Sequence, residues 1–322
     1  MRCGILFVSS VLLLVCGIVC AEKALEIQMD KGRLTVERAG RELLGYQVLP
    51  MQNPTGGDGF KASNFIHPLR TPAGFTVTAF QPEDHLHHFG LWWPWKYIQV
   101  DGRKILCWEL QQGEGIIQGR RIVAREAGAD FASFSSESEY VDRTAPGGPL
   151  VVLHEKSEMR IFGFTDSPAN GYFLDIKIIH RCATDHPVEI VKYSYSGLGY
   201  RGVESWNKDN STLLTSAGKD RAGANATRAE WVRVQGATPD GGMAGVLLMG
   251  HPGNRDHPQR LRTWDEQFYN GAIFANFNPV QDKSWLFEPG GEYARRYRLF
   301  VYDGELDGEE AVALYRKYAH EK

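Results

Sequence analysis

Residues 172–180 read Tyr-Phe-Leu-Asp-Ile-Lys-Ile-Ile-His, with Leu174, Ile176 and Ile178 alternating with Asp175 and Lys177. Successive side chains of an extended chain point to opposite faces, so this alternation makes a strand with one apolar and one polar side. A strand of that kind belongs in an antiparallel sheet that buries one face only. Working outward, related short runs recur at 24–30 (ALEIQMD), 33–39 (RLTVERA), 75–80 (FTVTAF), 121–127 (RIVAREA), 131–140 (FASFSSESEY), 188–197 (VEIVKYSYSG), 229–236 (AEWVRVQG), 245–250 (GVLLMG), 272–277 (AIFANF) and 297–303 (YRLFVYD). Gly, Pro, Asn and Asp punctuate them. Helical periodicity is convincing only over 307–322, where Asp307 can cap a helix whose Ala311, Leu314, Tyr315 and Tyr318 share a stripe. No repeat of propeller or solenoid length stands out. The expected fold is all-β, a large antiparallel two-sheet sandwich with a short C-terminal helix. Residues 50–60, 144–149, 207–229 and 251–259 are expected to be long loops, which often carry function on a rigid sheet scaffold.

The first 21 residues hold one arginine, an apolar run from Ile5 to Val19 and small residues near Ala21, the order of a secretory signal peptide. Cleavage there leaves a single β-sandwich domain over 22–322 in the periplasm or outside the cell, with no second apolar span for a membrane. Of five cysteines only Cys107 and Cys182 then remain, as one disulfide or as two thiols. The chain of 322 residues carries 36 Lys and Arg against 39 Asp and Glu, a net charge of -3, with the basic residues scattered. Nucleic acid is therefore not an expected partner.

Chemistry concentrates in residues 83–95, Glu-Asp-His-Leu-His-His-Phe-Gly-Leu-Trp-Trp-Pro-Trp, which hold three of ten histidines and three of eight tryptophans. Imidazoles leave water only when their nitrogens find partners, while indoles seek burial and can stack on a sugar ring; a concave site satisfies both. If the segment is extended, His85 and His87 share one side, with Asp84 and His88 on the other. That H-x-H pair can supply two ligands to a divalent metal, with a third from His67, Glu109, His180 or His251. The competing reading needs no metal: His85, His87 and His88 act as acids or polarising groups, and Asp84 or Glu109 as base or orienting group. Trp92 or Trp93 then forms a stacking platform. Arg201, between the glycines of 197–202 (GLGYRG), can clamp a carboxylate or hydroxyls. The loop at 249–259 (MGHPGNRDHPQ) contributes His251 and Asn254 to a pocket rim expected to be shared with the histidine segment. Nucleophile elbow, phosphate loop, H-E-x-x-H helix and dinucleotide fingerprint are all missing, so no nucleotide cofactor is expected.

Ile66–Pro72 (IHPLRTP), Asp84–Trp93 (DHLHHFGLWW), Gly197–Arg201, the HPGN and HP pieces of His251–Pro258 and Tyr297–Gly304 (YRLFVYDG) together resemble the DUF6807 family, also labelled the PmoA family. The resemblance covers nearly the whole chain after its first segment, and D-H-x-H-H-x-G-L-W is its most specific motif. It implies an exported bacterial protein of the kind found where complex glycans are degraded, and by itself fixes no reaction. The second label invokes a membrane-embedded methane oxygenase subunit, an activity not expected of a chain without spanning helices after its signal. The leading expectation is a carbohydrate-active protein, with a sandwich of the aldose-epimerase kind among those open to it, working on a sugar or oxidised sugar by His and carboxylate acid–base chemistry. A non-catalytic glycan-binding module and a metal-dependent lyase or hydrolase are the alternatives.

Overall fold

The computed structural model describes residues 24–53 and 56–321. The expected signal segment lies outside them. The quoted stretch forms the middle of the strand Asn170–Cys182. Leu174, Ile176 and Ile178 are almost wholly buried. On the other face Asp175 lies opposite Arg298 of the strand Tyr293–Asp303, and the guanidinium donates to both carboxylate oxygens at 2.5 and 2.8 Å. A directly opposed pair of opposite charges adds to the ladder and fixes its register.

This strand sits inside an antiparallel sheet of eight, in the order 115–127, 131–142, 150–165, 170–182, 293–303, 243–250, 231–237 and 211–215. A second sheet of eight runs 25–30, 33–38, 41–47, 65–69, 91–92, 198–201, 274–278 and 260–263. Their apolar faces meet in one core in which Leu34, Leu44, Ile66, Leu91 and Leu198 of one sheet join Ile161, Ile176, Val232, Val246 and Leu299 of the other. This is the expected sandwich. A four-stranded sheet of 285–287, 188–190, 97–100 and 103–106 adds a satellite core around Ile98, Ile105 and Phe287.

Three local expectations are corrected. Residues 50–60 are not simply a loop, because Met51–Asn53 pairs with Gly57–Ala62 as a hairpin, and 207–229 contains the strand Ser211–Thr215. The run at 75–80 makes only isolated bridges. There the Thr78 hydroxyl accepts the Leu69 backbone N–H at 3.1 Å, which takes a donor from an ordinary ladder. Cys107 and Cys182 are free thiols.

The C-terminal helix α1, Gly308–Ala319, keeps its expected stripe: Ala311, Leu314, Tyr315 and Tyr318 pack on Leu247, Met249, Phe300 and Tyr302, on the outer face of the first-described sheet. Asp307 accepts the Glu310 backbone N–H while the Glu310 carboxylate accepts that of Asp307, both at 2.8 Å, forming a capping box. Asp307→Ala is expected to lower stability by about 1 kcal/mol, read as a lower denaturation midpoint at unchanged slope.

What places the functional segment is the two-residue strand Leu91–Trp92, held between 65–69 and 198–201. Gly90 precedes it with φ 72°, and a Cβ there would stand 2.6 Å from the Ile66 carbonyl oxygen. Only glycine fits so close an approach. The chain before it is thus turned out of the sheet.

Candidate functional site

That outgoing segment is not extended. The His85 N–H bonds to the Pro82 carbonyl and the His88 N–H to the His85 carbonyl, each at 2.9 Å. Two successive turns bring His85, His87 and His88 to one place instead of dividing them between two faces. Their ring centroids are 5.2 Å (85 to 87), 4.5 Å (85 to 88) and 4.9 Å (87 to 88) apart, and one nitrogen from each can be chosen so that all lie within 4.8 Å of one another. The alternation expected from an extended chain fails because the Asp-His-Leu-His-His stretch bonds to itself instead of to a neighbouring strand.

The three imidazoles line a cavity of about 140 Å³ with Trp108, Tyr195, Trp264, Tyr269 and Phe274 among its other walls. His88 is buried against Trp92, Trp264 and Phe274, at 4.9, 5.6 and 5.1 Å between centroids. His85 meets Trp264 and Tyr269 at 4.8 and 5.0 Å. Burial removes the water that would stabilise an imidazolium. It pushes His88 well below its ordinary range, aided by the neighbouring histidines and Arg201. His87 falls to about 4, mainly by burial, although the Glu109 charge opposes the shift, and His85 is lowered by burial against the opposing pull of Asp84. At neutral pH these are neutral rings that offer lone pairs and N–H groups, not a reserve of acid protons.

Asp84 accepts from Arg201 at 2.7 Å and lies 3.7 Å from His85 Nδ1. Arg201 is buried and stacks over Trp264 at 4.7 Å. It therefore supports the wall and Asp84. Glu109 stands just before the short helical turn Leu110–Gln112 and accepts from Lys96 and, at 2.7 Å, from the Tyr195 hydroxyl. Lys96 also donates to that hydroxyl at 2.9 Å and lies 5.1, 5.1 and 4.8 Å from the ring centroids of Tyr97, Tyr193 and Tyr195. Burial pushes the Tyr195 phenol up, and Glu109 pushes it further. Burial lowers Lys96, with Glu109 opposing. Tyr195 is the member of this trio that faces the cavity.

Other expected residues lie elsewhere. His251 and Asn254 do not share the histidine cavity. They sit on the far side of the first-described sheet, where His251 packs on Tyr318 at 5.4 Å and Asn254 brackets the Arg296 main chain with two 2.7 Å bonds; His251 lines a separate groove of about 510 Å³ with Arg298. The His-Pro-Gly-Asn loop is thus a clasp on the last long strand. Trp93 is no platform, being 1% exposed with its Nε1 donating to Glu155 in the core. Trp92 is 3% exposed and backs His88. His67 lies 3.0 Å from the Thr78 hydroxyl and stacks on Phe80 outside the cavity walls, and burial lowers it to about 4. His180 is fully buried beside Glu155. The sequence reading missed Tyr195, Trp264 and Tyr269. A signal was present for the last two: residues 264–270 read WDEQFYN, aromatics set among polar residues, of which Phe268 and Tyr269 stay 43% and 50% exposed beside the cavity.

No curated protein matches the sequence. Among solved structures, heparan sulfate lyase from Pedobacter heparinus superposes with a TM-score of 0.38 and 10% identity, over 89% of this chain and 36% of the lyase chain. An α-galactosidase from Geobacillus stearothermophilus gives 0.37 and 9%, over 87% and 41%. A galactose mutarotase related enzyme from Lactobacillus acidophilus gives 0.36 and 9%, over 88% and 100%. This chain spans well under half of the lyase and galactosidase chains, and at such scores the likeness fixes neither substrate nor reaction. Among the described residues no helix is long and apolar enough to cross a membrane. The sequence pattern of one family of unknown function runs over residues 33–316, and the chain belongs to that family, DUF6807.

Proposed function

We propose that the chain is an exported enzyme that acts on a sugar or oxidised sugar in the histidine cavity. The observation that carries this reading is the meeting, in one cavity of about 140 Å³, of three imidazoles, an indole and phenol wall, and a tyrosine bonded to a carboxylate. Aromatic faces suit the C–H side of a sugar ring. The neutral imidazoles polarise a ring or carbonyl oxygen, and Tyr195 exchanges a proton with it, backed by Glu109 and Lys96. The exposed rings of Phe268 and Tyr269 continue the wall outward for the remainder of a larger substrate. A binding module needs the aromatics and hydrogen bonds but has no use for a partly buried lysine–carboxylate–tyrosine relay.

The purified protein is expected to turn over at least one member of a panel of hexoses, hexuronic acids and uronic-acid oligosaccharides. Faster interconversion of the α- and β-anomer resonances by NMR reads epimerase chemistry at the anomeric carbon, and the ultraviolet absorbance of an unsaturated uronate reads lyase chemistry. Saturable binding without turnover would replace the enzyme with a glycan-binding module. Neither binding nor turnover across the panel would sink the sugar reading.

A further inference from the structure

We propose that His85, His87 and His88 together hold a divalent first-row transition metal ion, zinc fitting the donor set best. Three nitrogen donors within 4.8 Å of one another are the main observation. Main-chain turns at 2.9 Å bring the three residues to one place, from which their side chains reach a common point. Imidazole ligands suit zinc, copper, nickel or iron, whereas calcium and magnesium demand oxygen. Protein ligands numbering three, with a further position open, describe a catalytic zinc site more than a closed structural one.

A second observation points the same way. The Nδ1 atom of His88 is shielded from solvent and has no hydrogen-bond partner in the protein. A buried ring nitrogen without a partner is costly, and a metal ion satisfies its lone pair. An ion about 2.0–2.1 Å from each nitrogen draws tetrahedral donors to roughly 3.4 Å apart. The rings close that distance by swinging about their side-chain bonds around a common point. The open position then faces the cavity, where a water or a sugar oxygen completes the shell. Asp84 Oδ1, 3.7 Å from His85 Nδ1 and without a hydrogen-bond partner of its own, is placed to take that N–H and orient the ring while His85 Nε2 serves the ion, and Arg201 holds the carboxylate at 2.7 Å. Such a carboxylate behind a histidine is the usual outer partner of a zinc ligand.

The proposal deepens the reading of the same cavity as an enzyme site, yet it can be tested without any sugar. Full-length protein stripped with a chelator is titrated with Zn²⁺ by calorimetry and with Co²⁺ by visible absorption. A single equivalent is expected to bind, with Kd below about 1 µM for zinc, and cobalt is expected to give the ligand-field bands of a four- or five-coordinate site. His87→Ala, at a half-buried position, and His88→Ala are each expected to weaken zinc at least 100-fold, and Asp84→Asn by about 10–100-fold. His154→Ala, an exposed histidine on another sheet, serves as control and leaves binding unchanged. His87→Ala carries the test if His88→Ala does not fold, as judged by circular dichroism. Binding weaker than about 100 µM, or a tight equivalent that survives His87→Ala, overturns the proposal. Zinc binding beside a silent sugar panel leaves the metal site standing and removes the sugar; sugar turnover by stripped protein that binds no zinc does the reverse.

Discussion

Glu155→Ala is expected to destabilise the protein by about 4 kcal/mol, because it takes the shared acceptor from several buried donors at about 1–3 kcal/mol each. The Glu155 side chain has no solvent exposure. Its Oε1 accepts from Trp93 and Asn64 at 2.7 Å each, from Ser157 at 2.8 Å and from Ser138 at 3.4 Å. His180 Nε2 lies 2.9 Å from Oε2, but out of line for an N–H bond, so that contact is electrostatic. Alanine leaves the indole, amide and hydroxyl donors buried without this acceptor, and each orphan costs about 1–3 kcal/mol. Glutamine retains an acceptor oxygen and is expected to cost less. Burial pushes the Glu155 carboxyl up, but the donors and His180 override it and bring it down from 4.5 to about 2. A depressed folded-state value means stabilisation that is complete above the ordinary carboxylate range and is lost as pH falls from 4.5 towards 2. Denaturant unfolding at neutral pH and at pH about 3 checks both parts. A loss under about 1 kcal/mol at neutral pH, or an unchanged acid dependence in the variant, would show that the network contributes little.

The same network marks how far the sequence could be read. Alternation named the strands because period-two burial is local: Leu174, Ile176 and Ile178 fall inward whatever sheet receives them. The helix was equally legible, since Asp307, Glu310 and the apolar stripe all lie within four turns. Glu155 was not legible, because its partners Asn64 and Trp93 are 91 and 62 residues away. In the site, the cluster of histidines was visible as composition, but its geometry depended on whether the segment pairs or turns. The Gly90 approach to the Ile66 carbonyl decided that, and it is a contact between strands. His251 misled for the opposite reason: a histidine in a Pro/Gly loop looks like a pocket rim, yet its Nδ1 only accepts the Gly253 N–H at 2.9 Å in a clasp. Tyr195 lay inside a strand-like run and acquired its role only by meeting Glu109, 86 residues away in sequence.

Glu109→Gln is expected to lower kcat/KM for the sugar by about 10²–10⁴-fold, the range lost with a general acid–base group, while the protein stays folded. Glutamine keeps the shape and an acceptor for the Tyr195 hydroxyl, so the change removes charge more than contact. That charge raises Tyr195, after burial, and opposes the burial that lowers Lys96. Without it both groups release their protons more readily, so the alkaline limb of the pH–rate profile moves to lower pH. Tyr195→Phe removes the proton donor itself and should lose a similar factor in rate without that displacement of the Lys96 titration. Lys96 keeps its tyrosine rings at 4.8–5.1 Å in the Glu109→Gln variant, and each such contact contributes about 0.5–2 kcal/mol, which limits the cost of losing its counter-ion. Thermal unfolding beside the pH–rate profile separates the two effects. Full activity in a folded Glu109→Gln protein would assign the carboxylate to holding Lys96 in place and leave proton transfer to another group. A tenfold or smaller loss with an unmoved alkaline limb would remove the relay from the mechanism altogether.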